Sequence, residues 1–117
     1  MIKLTRLNET DIMVNEGFIQ TVEETPDTVI TMQNGHRFSV REPLTDILRA
    51  AYRSGRCVLV RLTRINGTEA ALNLDFIELA EEVPDTVITM KNTYRTTVRE
   101  SISEILEKAE DFRNGKF

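Results

Sequence analysis

The stretch Pro26-Asp27-Thr28-Val29-Ile30-Thr31-Met32 returns unchanged, 58 residues later, as Pro84-Asp85-Thr86-Val87-Ile88-Thr89-Met90. A Pro-Asp pair running into β-branched residues reads as a turn followed by a strand. Proline fixes φ, aspartate bonds to the backbone beyond it, and Thr, Val and Ile suit a pleated, half-buried surface. At the same offset, and with no gap, Leu4-Thr5-Arg6-Leu7-Asn8 falls on Leu62-Thr63-Arg64-Ile65-Asn66, and Phe18-Ile19 on Phe76-Ile77. Val40-Arg41-Glu42 falls on Val98-Arg99-Glu100, and Ile47-Leu48 on Ile105-Leu106. About half of the aligned positions are identical. Two copies of so long a period do not suit a solenoid or propeller, so the chain reads as a duplicated domain. Repeat 1 is expected in residues 1–55 and repeat 2 in residues 56–117.

Each copy follows one plan. Strands are expected over residues 2–7, 11–15, 18–23, 28–32 and 36–41, and over 58–65, 69–73, 76–81, 86–90 and 94–99. Asn34-Gly35 and Asn66-Gly67 are hairpin turns, since both residue types tolerate positive φ. Their counterparts Asn92-Thr93 and Asn8-Glu9 lack the glycine. Leu44, Ile47, Leu48 and Ala51 recur at helical spacing, as do Ile102, Ile105, Leu106 and Ala109. Pro43 suits a first helical turn, Ser101 with Glu104 forms a capping-box pattern, and Ser54-Gly55 and Asn114-Gly115 are stops. The fold class that follows is α+β: two repeated antiparallel β-meander units, each ending in an amphipathic helix, packed as an intrachain pseudo-dimer. A unit of roughly 55 residues scarcely supports a core alone, so the copies are expected to pack face to face.

The 117 residues are 40% hydrophobic and 29% charged, an ordinary globular composition, with a net charge of -4. A net acidic chain is a poor general partner for nucleic acid. The one cysteine, Cys57, has no partner for a disulfide, and neither a signal peptide nor a membrane-length apolar run is present. A soluble, cytoplasmic protein is expected.

Candidate chemistry is sparse. His36 follows a hairpin glycine, its counterpart is Tyr94, and it reads as an exposed strand residue with no partners for a triad or metal site. Cys57 reads as a buried thiol with no base beside it. Glu23, Glu24 and Asp27, repeated as Glu81, Glu82 and Asp85, read as a solvated acidic turn. Asn8-Glu9-Thr10 and Asn66-Gly67-Thr68 match a glycosylation sequon and read as turns. No catalytic, metal or cofactor-binding residue is expected, and the chain does not read as an enzyme. The pairs Arg6/Arg64, Arg37/Arg95 and Arg41/Arg99 are duplicated. They read either as cross-strand ion pairs with the abundant glutamates or as interaction residues for nucleic acid or an acidic protein surface.

The run Ile2-Lys3-Leu4-Thr5-Arg6-Leu7-Asn8, Phe18-Ile19 before paired glutamates, and Thr25-Pro26-Asp27-Thr28-Val29-Ile30-Thr31-Met32 with Asn34-Gly35 resembles the FlbD family of small bacterial flagellar proteins. The resemblance covers nearly all of each copy, so the family is present here as two tandem copies. It implies flagellar or motor proteins as partners and a non-enzymatic accessory role in flagellar motility, supporting motor function or assembly through protein–protein contacts. It carries over no catalytic residue. The alternative is a small nucleic-acid-binding regulator that uses the duplicated arginines. Membrane insertion is not expected, and further homo-oligomerisation is left open.

Overall fold

A computed structural model describes all 117 residues. The first half runs β1 (Ile2–Thr5), β2 (Asp11–Val14), a single 3-10 turn (Glu16–Phe18), β3 (Ile19–Glu24), β4 (Thr28–Met32), β5 (Arg37–Val40) and α1 (Leu44–Ser54). The second half repeats this as β6 (Leu59–Thr63), β7 (Glu69–Asn73), a 3-10 turn (Leu74–Phe76), β8 (Ile77–Glu82), β9 (Thr86–Met90), β10 (Arg95–Val98) and α2 (Ile102–Arg113). The α+β class and the duplicated strand–helix plan expected from the sequence are both present. The repeated Thr-Val-Ile-Thr-Met string forms β4 and β9, the middle strands of their meanders. Both Thr25–Pro26 and Val83–Pro84 peptide bonds are cis.

The strands pair antiparallel in three sheets of order β1-β2, β5-β4-β3-β7-β6 and β10-β9-β8. Bridges from Arg6 to Val40 and from Arg64 to Val98 join β1 to β5 and β6 to β10. Each half is therefore a curled five-stranded sheet whose two lateral edges are β2 and β3, or β7 and β8. Strands β2 and β3 follow one another in sequence but do not pair, because the 3-10 turn between them redirects the chain. Instead β3 pairs with β7 of the other half, with Thr21 opposite Leu72, Val22 opposite Ala71 and Glu23 opposite Ala70. The halves thus join edge to edge, through one continuous sheet, and not face to face as expected from the small size of each unit.

The helices cover the open faces of these sheets. Leu44, Ile47, Leu48 and Ala51 of α1 are all buried, as the spacing requires. On α2 the inward residues are Ile105, Ala109 and Phe112. One core cluster gathers Ile2, Leu4, Ile19, Val22, Ile30 and α1, and it also takes Cys57 from the segment before β6 and Leu59, Ala71 and Phe112 from the second half. The other, smaller cluster is built from second-half residues, among them Val60, Leu62, Leu72, Ile88 and Met90. Tyr52 of α1 meets Phe112 edge-on at 6.1 Å between ring centroids, and Phe117 closes the group at 5.5 Å from Phe112. The counterpart of Phe112 is Ser54 and that of Tyr52 is Glu110, so this aromatic latch between the halves has no second copy.

The turns keep their geometry even where glycine is missing. Glu9 and Thr93 take φ of 73° and 75°, beside 90° and 89° at Gly67 and Gly35. The sequon-like Asn8 and Asn66 side chains accept the Thr10 and Thr68 N–H groups, which confirms them as turn residues.

Candidate interaction surface

The duplicated acidic and basic residues mostly hold the fold together, and their bonds to backbone groups occur in both halves. Glu42 accepts the Thr5 N–H at 2.9 Å, and Glu100 accepts the Thr63 N–H at 2.9 Å. These carboxylates tie the end of each meander to its first strand. Glu24 accepts the Leu44 N–H at 3.1 Å, and Glu82 accepts the Ile102 N–H at 3.0 Å. The acidic turn read from the sequence as merely solvated therefore caps both helices from a strand 20 residues away, where a carboxylate also complements the helix dipole. Pro43 has no side-chain donor or acceptor, so Glu24 is the side chain that caps α1. α2 carries in addition the reciprocal Ser101–Glu104 capping box. Hydrogen bonds from the Ser101 backbone and hydroxyl hold the Glu104 carboxyl below its ordinary pKa.

The six candidate arginines are not gathered into one patch. Arg41 donates to the Leu7 carbonyl at 2.7 Å and pairs with Glu9 at 2.6 Å, and Arg99 donates to the Ile65 carbonyl at 3.0 Å, so this pair clamps the first hairpin of each half. Arg6 stands over the Phe38 ring at 5.7 Å, exposed and without a carboxylate in ion-pair range. Its counterpart Arg64 reaches across the junction to Glu23 at 2.9 Å, with exposures of only 18% and 20%. Arg37 and Arg95 project from β5 and β10 and remain exposed. Arg37 lines a groove of about 300 Å³ with Glu23, Arg64 and Tyr94, which brings two of the six arginines together where the halves meet.

Cys57 is buried, and burial, with the nearby charges of Glu16 and Asp75, pushes its thiol up to about 11. A thiol held so far above its free value is a poor nucleophile at neutral pH. His36 is exposed and tilts against Phe38 at 5.6 Å. Glu16, fully buried with Leu74 as its counterpart, was not singled out by the sequence. Burial acts to raise its pKa, but its hydrogen bond and ion pair with the N-terminal ammonium, aided by Arg56, leave it below the ordinary range. No cluster of three or more His, Cys, Asp or Glu side chains is arranged to hold a metal ion.

What the sequence did not disclose is the junction itself. At its centre Ala71 packs opposite Val22, and the buried Asn73 amide donates to the Ile19 carbonyl at 2.8 Å. On the outer faces of the molecule the same two strand edges lie bare, as β2 and β8. This asymmetric use of two equivalent halves is the main feature of the surface.

The profile of the FlbD family, described as flagellar and swarming motility proteins, matches residues 1–58 and again residues 59–117. The chain belongs to the FlbD family. Its two matched segments are the two structural halves, so the whole chain is accounted for by tandem FlbD units. The family is defined by motility and not by a reaction, which places this FlbD chain in flagellar and swarming motility at that level. No curated protein and no solved structure matches the chain. No helix is long and apolar enough to cross a membrane.

Proposed function

We propose that this chain is a non-enzymatic flagellar accessory protein of the cytoplasm, acting on motor function or assembly through contacts with flagellar or motor proteins. The observation that carries the reading is the double match to a motility family over the whole chain. The surface supports it, with bare sheet edges, exposed apolar side chains and two arginines that carry no structural load. Arg37 and Arg95 are the side chains assigned here to a partner's acidic surface, since Arg41 and Arg99 are committed to their hairpins and Arg64 to Glu23.

The test is a deletion strain scored for swimming and swarming. Loss of motility, restored by the wild-type gene but not by a copy carrying R37E and R95E, is the expected result. Normal motility in the deletion strain contradicts the reading. A mobility-shift titration addresses the nucleic-acid alternative. Binding that weakens steeply with salt favours that alternative, and no binding at low salt is expected.

A further inference from the structure

The three sheets contain an unfinished pair. The central sheet, β5-β4-β3-β7-β6, is a three-stranded meander from the first half joined to a two-stranded hairpin from the second. The other two sheets are the complementary pieces, a two-stranded hairpin β1-β2 and a three-stranded meander β10-β9-β8. They lie in one chain but are not paired with each other. We infer that a second copy of this chain completes them. β8 of one molecule pairs antiparallel with β2 of the next, in the register of β3 with β7, to form a second five-stranded sheet, β10-β9-β8-β2-β1. The inference rests on the internal junction and stands apart from the motility reading.

The side chains that make the internal junction recur at the bare edges, without the partners they have in it. The Arg64–Glu23 pair corresponds to Arg6 and Glu81, which are both exposed and without an ion-pair partner. Asn73, which donates to the Ile19 carbonyl, corresponds to Asn15, whose Oδ1 takes the local Gly17 N–H while its amide nitrogen has no acceptor. Its intended acceptor in the next copy is the Ile77 carbonyl. The apolar pairs complement each other in size. Where Val22 opposes Ala71 inside the chain, Ala80 would oppose Met13 across two chains, again one alanine against one larger side chain. Thr21 with Leu72 is replaced by Leu79 with Val14, and Glu23 with Ala70 by Glu81 with Ile12.

Exposure falls where this arrangement requires it. Met13 is 72% exposed while its counterpart Ala71 is sealed, and Leu79 is 41% exposed while Thr21 is buried. Leu106 on α2 is 63% exposed, although Leu48 in the same place on α1 lies within the shared core. An unpaired apolar strand edge is a template for another strand. Here the internal junction specifies which strand that is. Because the contact joins two different edges, it is heterologous and propagates head to tail, into a ring if the rotation closes and a filament if it does not. The aromatic latch is missing from the proposed join, since Ser54 stands where Phe112 does. Association between chains is therefore weaker than the internal junction and depends on concentration.

The test is sedimentation velocity and light scattering on the full chain from micromolar to millimolar concentration, beside R6E, E81R and the double variant R6E/E81R. The expected result is a mass that rises from one chain to multiples of 13.4 kDa. Each single reversal weakens association by about tenfold or more, as expected for placing like charges together at an interface. The double variant, and an equimolar mixture of the two singles, recover it. Both residues are exposed, so circular dichroism melts of the single variants should match wild type. A mass of one chain at every concentration overturns the inference, as does association that neither reversal weakens.

Discussion

Strands β3 and β8 occupy the same place in their repeats, yet one lies at the centre of the molecule and the other at its rim. Residues 19–22 of β3 are buried throughout, while Glu78, Leu79, Glu81 and Glu82 of β8 are exposed. The same contrast separates β7 from β2. Duplication supplied two copies of each edge, and the chain pairs only one of each. The sequences have adjusted to this. The central edge carries uncharged Gln20 and Thr21, and the outer one carries Glu78 and Leu79, a charge that discourages indiscriminate strand pairing. Yet the residues specific to the junction, Arg6, Asn15 and Glu81, have been retained at the rim.

The largest expected difference between central and outer edges comes from one substitution made at both. Ala71→Glu places an unpaired carboxylate in the junction and should cost about 3–5 kcal/mol. Met13→Glu, at the equivalent outer position, should change the stability of dilute protein by no more than about 0.5 kcal/mol. Urea denaturation of both variants measures this. The half-buried Arg64–Glu23 pair should show a coupling energy of about 1 kcal/mol in a double-mutant cycle. The same cycle on Arg6 and Glu81 in dilute protein should show none.

Glu16 sets the halves apart under acid. Its carboxyl is held below the ordinary value of about 4.3 in the folded chain. Its contribution is thus present above that value and is lost as pH falls through the folded one. Glu16→Gln should flatten the acid limb of a stability-versus-pH curve, whereas a polar substitution at Leu74 should leave its shape unchanged.

The helix caps give a smaller contrast. α1 has Glu24 as its side-chain cap, while α2 has both Glu82 and the Ser101–Glu104 box. Glu24→Ala should cost about 1 kcal/mol, and Glu82→Ala less, because the box continues to satisfy the first turn. The smallest effect is at the turns. Thr93 is β-branched at φ of 75°, so Thr93→Gly should raise stability by somewhat under about 1 kcal/mol. Glu9→Gly should gain less, since it also removes the ion pair with Arg41. Thermal melts of the paired variants read both comparisons.

The repeat, its strands and both helices were legible because a long string recurs and because alternation and helical spacing act over neighbouring residues. What joins the halves was not. Ala71 and Thr21 look like any strand residues, and nothing local says that β2 and β3, adjacent in sequence, decline to pair. The helix-capping role of Glu24 and Glu82 was hidden by the 20 residues between each carboxylate and the N–H it accepts. Leu106 shows the same limit. Its spacing marks it as core, but the cluster that holds Leu48 on α1 draws residues from both halves of the chain, and the cluster under α2 is smaller. The six arginines were read together, as ion-pair or as interaction residues; Arg64 and Arg41 meet glutamates, while the clamps made by Arg41 and Arg99 onto backbone carbonyls leave no sequence signature.

Amide hydrogen exchange on the dilute, full-length chain tests the central claim most directly. Amides bonded between β3 and β7 should exchange only through global unfolding. Amides of β2 and β8 that face away from β1 and β9 should exchange within the dead time, and gain protection as concentration rises. Rapid exchange along β3 and β7, or equal protection of all four edges in dilute protein, would contradict it.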